Sequence, residues 1–404
     1  MALLGVLVFV FALLASIALH EIGHLVTAKK FGMKASRYFI GMGPTVWSTW
    51  RGETEYGVKA LPIGGFVKIV GMTQLEDLDD PRDEPRAFWR QPAGQRAIVL
   101  SAGSAMHFVI AFVVMYAALV GFGEPTRDTM RVASVSQCLQ PDRATGSCEG
   151  QPQAPARAAG LHEGDRIVAF DGQPVDDWEK EFTERVRAHP GGPAEVVVDR
   201  DGEPVVLRVN VALVPDVDEQ GNPKPDKLVG RVGLLPGETK RYNAASAIGR
   251  TGSLTWELTT GSLGALAKLP GEIPKLFTET VVKDEERGIS DGGAVGIVDL
   301  GRFSAQAFTA GDFLSVLSMI AALNVFVGIF NLLPLLPLDG GHLAVLGFEE
   351  ARTRVYRVIG RRDPGRVDLR KLMPAMVAFI VVMGSVAIML VYAGIANPIA
   401  NPFQ

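Results

Sequence analysis

Four long apolar runs constrain this chain more than any other feature of its sequence. A helix that crosses a bilayer needs about 20 apolar residues, and lipid cannot satisfy the polar groups of an irregular backbone. The runs are Ala2–Leu19, Ala97–Gly123, Phe313–Leu336 and Leu372–Ala393. Of the 404 residues, 48% are apolar, which leaves room for a soluble part beside these spans. We therefore predict an α-helical membrane protein with four transmembrane helices and an inserted soluble domain.

The first run has a competing interpretation as a secretory signal peptide. Against it, no basic segment precedes the run and no small-residue cleavage site leads into a polar mature domain. Apolar character also continues through Leu25 and Val26. We expect a first transmembrane helix that ends near Lys29. In the second run, the small residues 101–105 suit close contact between helices.

Basic residues in the loops predict which side of the membrane faces the cytoplasm. The loop between the third and fourth runs carries Arg352, Arg354, Arg357, Arg361, Arg362, Arg366, Arg370 and Lys371, and the loop after the first run begins with Lys29, Lys30, Lys34 and Arg37. Both loops lie on the same side of a four-span topology, so we expect this side to be cytoplasmic. Both termini and residues 124–312 are then extracytoplasmic. The net charge of −4 and the lack of long blocks of one sign give no indication of a nucleic-acid partner.

The extracytoplasmic segment has two predicted parts. Over residues 127–215, short apolar runs alternate with Gly and Asp-Gly turns, as in a β-rich domain, and one helix follows Asp177 as its N-cap. Residues 243–282 have a helical pattern, and this helix would pack on the β-rich domain or lie along the membrane surface. Residues 283–293 are a polar linker. The predicted organisation is thus 1–123, 124–240, 241–312 and 313–404.

The stretch "ARAAGLHEGDRIVAFDGQPVDDW" resembles a PDZ domain, with Gly164, Asp165 and Ile167 in that family's Gly-Asp-x-Ile signature. The resemblance implies an α+β domain that adds a peptide as an extra strand, or that only excludes large substrates. A β-rich spacer without a ligand is the alternative. The two cysteines, Cys138 and Cys148, lie in the same region. They suit a disulfide if the region faces an oxidising compartment, and are otherwise free thiols.

A metal-binding pattern, His20-Glu21-Ile22-Gly23-His24, stands at the end of the first run. Residues four apart share one face of a helix, so both imidazoles can reach one Zn²⁺. Zinc activates water near neutral pH, and Glu21 is close enough to take its proton. The alternative is a polar cluster that pairs within the helix bundle, but ionisable residues inside a membrane are usually functional.

A catalytic zinc also needs a third protein ligand and an open position. The best candidate is Asp339 in "NLLPLLPLDGGH", at the predicted cytoplasmic end of the third span. The end of the first span that carries the histidines lies on the same side, so the two segments can meet at one depth. Pro334 and Pro337 would break the helix, and Gly340-Gly341 would free the backbone to turn Asp339 inward. His342 is a rival ligand, for which a structural or solvated role is favoured.

These two motifs together resemble the site-two protease family of intramembrane zinc metalloproteases, and in particular its bacterial branch with four spans and an extracytoplasmic PDZ region. The resemblance covers nearly the whole chain. It implies that His20, His24 and Asp339 bind zinc and that Glu21 is the general base. It also implies that Asn331 helps to hold the substrate or the oxyanion.

The family resemblance extends to "YGVKALPIGGFVKIVG", Tyr56–Gly71. It implies a membrane-dipping β-hairpin that turns at Pro62–Gly65 and pairs with an unwound substrate helix, with substrate contacts at Gly64, Gly65 and Phe66. A hairpin on the cytoplasmic surface is the alternative.

The chain departs from the family pattern in two places. An asparagine expected five residues before Asn331 is Phe326 here, with Asn324 nearby. The asparagine of the second-span motif Gly-Pro-x-x-Asn-Phe is His107, and Ser104 replaces its proline. Both changes concern substrate contacts and not the metal ligands.

The predicted function is peptide-bond hydrolysis within the transmembrane segments of single-span proteins after extracytoplasmic trimming. By resemblance, the substrates are anti-sigma factors or remnant signal peptides, and the location is a bacterial cell membrane with the active site toward the cytoplasm. Two alternatives use the same sequence features. A zinc transporter or sensor would move or report the ion, although no internal repeat is present. A membrane-anchored PDZ scaffold would not need Glu21 between the histidines.

Overall fold

A computed structural model of the chain describes residues 1–72, 78, 80–126, 128–139, 148–217, 223–277, 295–362 and 365–396. The helices are α1 (Ala2–Lys30), α2 (Ala93–Gly121), α3 (Pro155–Ala158), α4 (Glu184–Ala188), α5 (Ala244–Phe277), α6 (Ile297–Ala310), α7 (Phe313–Asn331), α8 (Asp339–Val358) and α9 (Met373–Ala396). The strands are β1 (Ala35–Arg51), β2 (Thr54–Ile69), β3 (Glu124–Thr126), β4 (Val132–Val135), β5 (Arg166–Phe170), β6 (Gln173–Pro174), β7 (Gly192–Arg200), β8 (Glu203–Val217), β9 (Pro223–Arg231), β10 (Leu234–Pro236) and β11 (Glu238–Lys240). The chain divides into two compact units. The helical unit holds α1, β1, β2, most of α2 and α5–α9, and the β unit holds β3–β11 with α3 and α4.

Within the described residues, four helices are long and apolar enough to cross a membrane: Ala2–Lys30, Ala93–Gly121, Phe313–Asn331 and Leu369–Ala396. They correspond to the four predicted spans. The third prediction was wrong in its extent, because the helix ends at Asn331 and not at Leu336. Two prolines follow within six residues. Proline has no backbone N–H to donate and its ring clashes with the preceding helical turn, so the helix cannot continue through them.

Small residues let the helices of this unit approach closely. A Cβ added to Gly5 of α1 would lie 2.6 Å from the carbonyl oxygen of Ser304 in α6, and the Ser304 hydroxyl donates to the Gly5 carbonyl at 2.8 Å. A Cβ added to Gly23 would lie 2.6 Å from the Ala102 carbonyl oxygen of α2. Interfaces of small residues are typical where lipid removes the hydrophobic drive for helix association.

The helix α5 belongs to the helical unit. Its residues Leu254, Leu258 and Leu266 pack against a buried cluster from α2 and α7 that includes Met115 and Val325. Other helices thus cover part of its apolar surface, whereas Trp256 and Leu263 are exposed. Its predicted place on the membrane surface or on the β-rich domain stays a prediction. The predicted polar linker 283–293 lies outside the described residues.

The small sheet formed by β1 and β2 corrects the predicted hairpin. The tight turn joins Arg51 to Thr54, so β2 forms its hairpin with β1. The strand β1 was not predicted from the sequence. The Cα partners of Tyr38–Ile40 are both Tyr56–Val58 and Gly65–Val67. The chain therefore does bend between residues 58 and 65, but its two arms lie on either side of β1 and do not pair with each other.

The β unit is built on a five-stranded antiparallel sheet in the order β6-β5-β7-β8-β9. Its core is formed by alternate, inward-facing residues of these strands and by the aromatic residues after β6, such as Ile167, Val198, Trp178 and Phe182. The Asp177 carboxylate caps the helical turn that follows by accepting the Lys180 N–H at 2.8 Å. Two short ladders, β4–β10 and β3–β11, complete the unit.

One disulfide and one buried ion pair connect loops of the β unit. Cys138 and Cys148 form a disulfide, with their Cα atoms 5.7 Å apart. The buried Asp165 accepts a bidentate pair of bonds from the Arg200 guanidinium at 2.8 and 2.7 Å and the His162 N–H at 2.9 Å. Burial alone raises the pKa of a carboxyl, but these donors outweigh it and hold the pKa of Asp165 below its usual range.

Candidate metal centre

The two histidines of the HExxH pattern face the interior from the last turns of α1. Their side chains are buried, with 9% of His20 and 3% of His24 exposed. The Nε2 atoms of the two rings lie 3.2 Å apart. His24 Nδ1 lies 2.7 Å from the Val99 carbonyl oxygen of α2, and a carbonyl can only accept. Nδ1 therefore carries the proton, and Nε2 of the neutral ring keeps its lone pair for a metal.

Asp339 is the first residue of α8, directly after the turn that ends α7. Its Oδ2 lies 3.4 Å from His20 Nε2 and 3.3 Å from His24 Nε2. Gly340 and Gly341 allow this position of Asp339 because the backbone of the preceding turn lies very close to them. Neither has a positive φ angle, so the expected role in freeing the backbone is corrected to one of close packing. Added Cβ atoms would lie 2.2 Å from the Leu332 carbonyl and 2.6 Å from that of Leu335, so only glycine lets α8 start against this turn.

The three ligand atoms have the spacing that a tetrahedral ion requires. Zinc binds nitrogen and carboxylate oxygen at about 2.0–2.1 Å, which places two ligand atoms of a tetrahedron about 3.3–3.4 Å apart. The observed separations are 3.2, 3.3 and 3.4 Å. Asp339 Oδ2 is buried and has no hydrogen-bond partner in the described part of the chain. The Nε2 lone pair of His24, the facing Nε2 of His20 and a bare carboxylate oxygen this close fit a cation between them, so the donor set suits zinc.

Gly103 of α2 closes one side of this cluster. Its contact with the two imidazoles was not predicted from the sequence. A Cβ at this position would lie 2.3 Å from His24 Nε2 and 2.7 Å from His20 Nε2. The run of small residues at 101–105 predicted close helix contact in general, which agrees with the structure. It did not indicate that the partner of Gly103 would be the pair of imidazoles.

A cavity of about 210 Å³ opens beside the cluster. It is lined by polar residues of the site, His20, Glu21 and Asn331, by Gly64 and Gly65 of β2, and by apolar residues of α1 and α7. A Cβ added to Gly65 would lie 3.2 Å from Glu21 Cγ, so the β2 backbone passes close to the carboxylate. Phe66 is not among the lining residues; its ring stacks on Phe39, with centroids 5.6 Å apart.

Tyr38 of β1 lies behind Glu21. Its hydroxyl donates to the Ala18 carbonyl of α1 at 2.9 Å. Burial, together with the negative charge of Glu21, raises the pKa of Tyr38 to about 12. Tyr38 therefore remains a neutral donor that fixes β1 against α1 near the site.

Two other histidines were open questions in the sequence. His342 lies one turn beyond Asp339 and lines a separate small cavity with Trp89 and Arg96, away from the metal cluster. His107 is 3% exposed, and its ring centroid lies 5.0 Å from that of His20. It lines the cavity beside the cluster, and its Nδ1 lies 2.9 Å from Asn324 Oδ1.

The chain is similar to known zinc metalloproteases over most of its length. The family model of Peptidase family M50 matches residues 8–361. The chain is 36% identical to Zinc metalloprotease Rip1 of Mycobacterium tuberculosis (strain ATCC 25618 / H37Rv), over 98% of each protein. It is 26% identical to Protease RseP of Yersinia pestis, over 85% of this chain and 90% of that protein. It is 30% identical to Putative zinc metalloprotease CPE1693 of Clostridium perfringens, over 83% of this chain and 86% of that protein.

Proposed function

The chain belongs to Peptidase family M50 and is a zinc metalloprotease of membranes, and from this premise we propose that it hydrolyses peptide bonds within the transmembrane segments of single-span proteins. The observation that carries this proposal is the convergence of His20, His24 and Asp339 at 3.2–3.4 Å, beside a cavity lined by Glu21. A metal transporter or a PDZ scaffold would need no carboxylate at Glu21.

In this proposal, His20 Nε2, His24 Nε2 and Asp339 Oδ2 hold the ion. Zinc supplies a Lewis acid that acidifies water and polarises a carbonyl. Glu21 takes a proton from the attacking water onto its carboxylate and then donates it to the amine that leaves. Its position on the cavity wall, one residue from His20 and against the β2 backbone, supports this role. Asn331, on the same wall, would donate from its amide to the scissile carbonyl oxygen as negative charge develops there.

The substrate has to be extended before it can be cut, because a stable helix uses its carbonyls in internal hydrogen bonds. Residues Gly65–Val67 pair with Tyr38–Ile40 on one side, and no other described strand pairs with their second side. Gly64 and Gly65 lie on the cavity wall and have no side chains to block an approaching peptide. Strand addition to β2 would therefore hold the unwound segment next to Glu21.

The remaining assignments follow from the loop charges and the PDZ-like pattern. We place the active site toward the cytoplasmic side of a bacterial membrane and the β unit on the extracytoplasmic side, where Cys138 and Cys148 would meet oxidising conditions. The β unit would exclude substrates whose outer domain has not yet been trimmed. Anti-sigma factors and remnant signal peptides fit the required substrate form, a single span with a small extracytoplasmic part.

The direct test replaces the proposed base. Glu21→Gln should bind zinc as the wild type does, because the three ligands are unchanged, and should cleave a single-span test substrate about 10²–10⁴-fold more slowly. Zinc is measured by mass spectrometry of the purified protein and cleavage by gel in bicelles. Glu257→Gln on the exposed side of α5 is the matched control and should cleave normally. Undiminished cleavage by Glu21→Gln would rule out the base assignment, and zinc-free wild-type protein that still cleaves would rule out the mechanism.

A further inference from the structure

The pair His107–Asn324 is the most deeply buried polar contact near the cavity that the proposed mechanism does not use. The two residues are 3% and 2% exposed and come from α2 and α7. A Cβ added to Gly328 would lie 3.1 Å from His107 Cβ, so the two helices are in close contact here. Buried side chains with this much polarity cost folding energy unless their groups are paired. Of the two ring nitrogens of His107, only Nδ1 has a hydrogen-bond partner among the described residues.

The hydrogen bonds fix which nitrogen of His107 carries the proton. The Asn324 amide nitrogen donates to the Ile320 carbonyl oxygen at 2.9 Å, and a carbonyl can only accept. Oδ1 of the same amide must then face His107 Nδ1, at 2.9 Å, and Oδ1 can only accept as well. Nδ1 therefore holds the proton, and Nε2 of the neutral ring is left as an acceptor on a residue that lines the cavity.

An acceptor at this place suits one group of an unwound substrate, its backbone N–H. The N–H groups of an extended peptide point alternately to its two sides, so β2 can pair with only part of them. The rest of the cavity wall consists of α1 and α7, whose interior carbonyls are already bonded within their helices. Of the polar side chains on this wall, Ser16 is bonded to the Ala12 carbonyl, and the proposed mechanism uses Glu21 and Asn331 for the water and the scissile carbonyl. Without a side-chain acceptor, a substrate N–H on that side would be left unpaired in a dry site, which is costly.

We propose that His107 Nε2, oriented by Asn324, accepts a hydrogen bond from a backbone N–H of the unwound substrate on the side that β2 does not pair. His107 is then a substrate-binding residue, and Asn324 is a positioning residue that acts through it. This inference rests on the proposed function and adds a contact to it. It requires no change in the metal ligands or in the role of Glu21.

The test exploits the two ends of the imidazole. His107→Leu removes the acceptor, whereas His107→Gln keeps a side-chain oxygen near the place of Nε2. Because the bond is made to the bound substrate as well as in the transition state, its loss should raise KM about tenfold with little change in kcat. His107→Gln should restore most of this loss. The zinc content of both variants should equal that of the wild type. The thermal unfolding midpoint of His107→Leu should fall, because the buried Asn324 Oδ1 loses its donor, so the kinetics are measured well below the unfolding transition.

Binding without turnover gives an independent readout. In the Glu21→Gln background, the Kd for a fluorescent single-span peptide in bicelles should rise about tenfold with His107→Leu. Asn324→Leu should also raise this Kd, but by much less once His107 is already Leu, since the two residues act as one unit. Equal effects of Asn324→Leu in both backgrounds would contradict its positioning role.

Other outcomes separate the possible failures. A fall in kcat with an unchanged KM would mean that His107 takes part in proton transfer, and lost zinc would mean that His107 supports the metal site; each overturns the inference. Normal kinetics for His107→Leu would overturn it as well and leave the proposed function intact. If the wild type neither binds nor cuts any single-span segment, the proposed function itself fails.

Discussion

The substitution Gly103→Ala tests the metal centre without altering any proposed ligand. The new Cβ would lie 2.3 Å from His24 Nε2 and 2.5 Å from His20 Cε1, whereas non-bonded heavy atoms approach to about 3.5 Å. The rings or the helix must therefore move by about 1 Å. His24 of α1 cannot swing away freely, because its Nδ1 is hydrogen-bonded at 2.7 Å to the carbonyl oxygen of Val99, which lies in α2 with Gly103.

A metal site does not tolerate a displacement of this size. Ligand distances hold within about 0.2 Å in real sites, and loss of residues that orient ligands lowers metal affinity about 10–100-fold. We expect Gly103→Ala to reach or exceed the upper end of that range. Zinc content by mass spectrometry and a chelator competition give the affinity, and circular dichroism of the same samples reports whether the helices remain.

The matched control is Gly384→Ala in α9, where an added Cβ meets nothing within 4 Å. It introduces the same methyl group into another apolar span and should leave zinc binding unchanged, while improving helix propensity by up to about 1 kcal/mol. If Gly103→Ala keeps its helices and binds zinc with wild-type affinity, the two histidines do not hold the metal in the arrangement described.

Two further substitutions test other parts of the chain. Gly340→Ala would place a Cβ 2.2 Å from the Leu332 carbonyl and push the start of α8 away, so we expect less bound zinc and a lower unfolding midpoint. The control Gly347→Ala, whose Cβ meets nothing within 4 Å, should bind zinc normally and keep or slightly raise the unfolding midpoint. In the β unit, the lowered pKa of Asp165 means that its pairing with Arg200 stabilises the fold above pH ~4 and is lost as the pH falls through the folded-state pKa. The hydrogen-exchange protection factors of the β5 amides, which compare each rate with the intrinsic rate at the same pH, should fall below that pH in the intact wild-type protein. Asp165→Asn should exchange faster at pH 7 and show a weaker acid dependence; an unchanged acid dependence would contradict this assignment.

The sequence predicted those features that depend on local pattern alone. Long uncharged runs predict spans because the length of a helix and the thickness of a bilayer are fixed. The two histidines were predicted to share a face because four residues complete about one helical turn. Asp339 was found through its motif and the shared side of two helix ends, and the structure brings it within 3.4 Å of both histidines.

What the sequence did not predict depends on which partner each residue meets. Gly103 resembles any small residue of a packed helix until the imidazoles are placed against it. The apolar stripe of α5 suits a membrane surface, a β domain or a helix equally well, so the packing of Leu254, Leu258 and Leu266 on α2 and α7 could not be predicted from it. The sandwiching of Tyr38–Ile40 between two arms of β2 is a long-range pairing that no alternation pattern encodes.

The start of α8 has a consequence for biosynthesis. Under the proposed ligand set, the ribosome adds both imidazoles first, and the completing carboxylate of Asp339 only after more than three hundred further codons. Until α7 has entered the bilayer and the chain has turned back, the ion has two ligands and no hydrolytic centre exists.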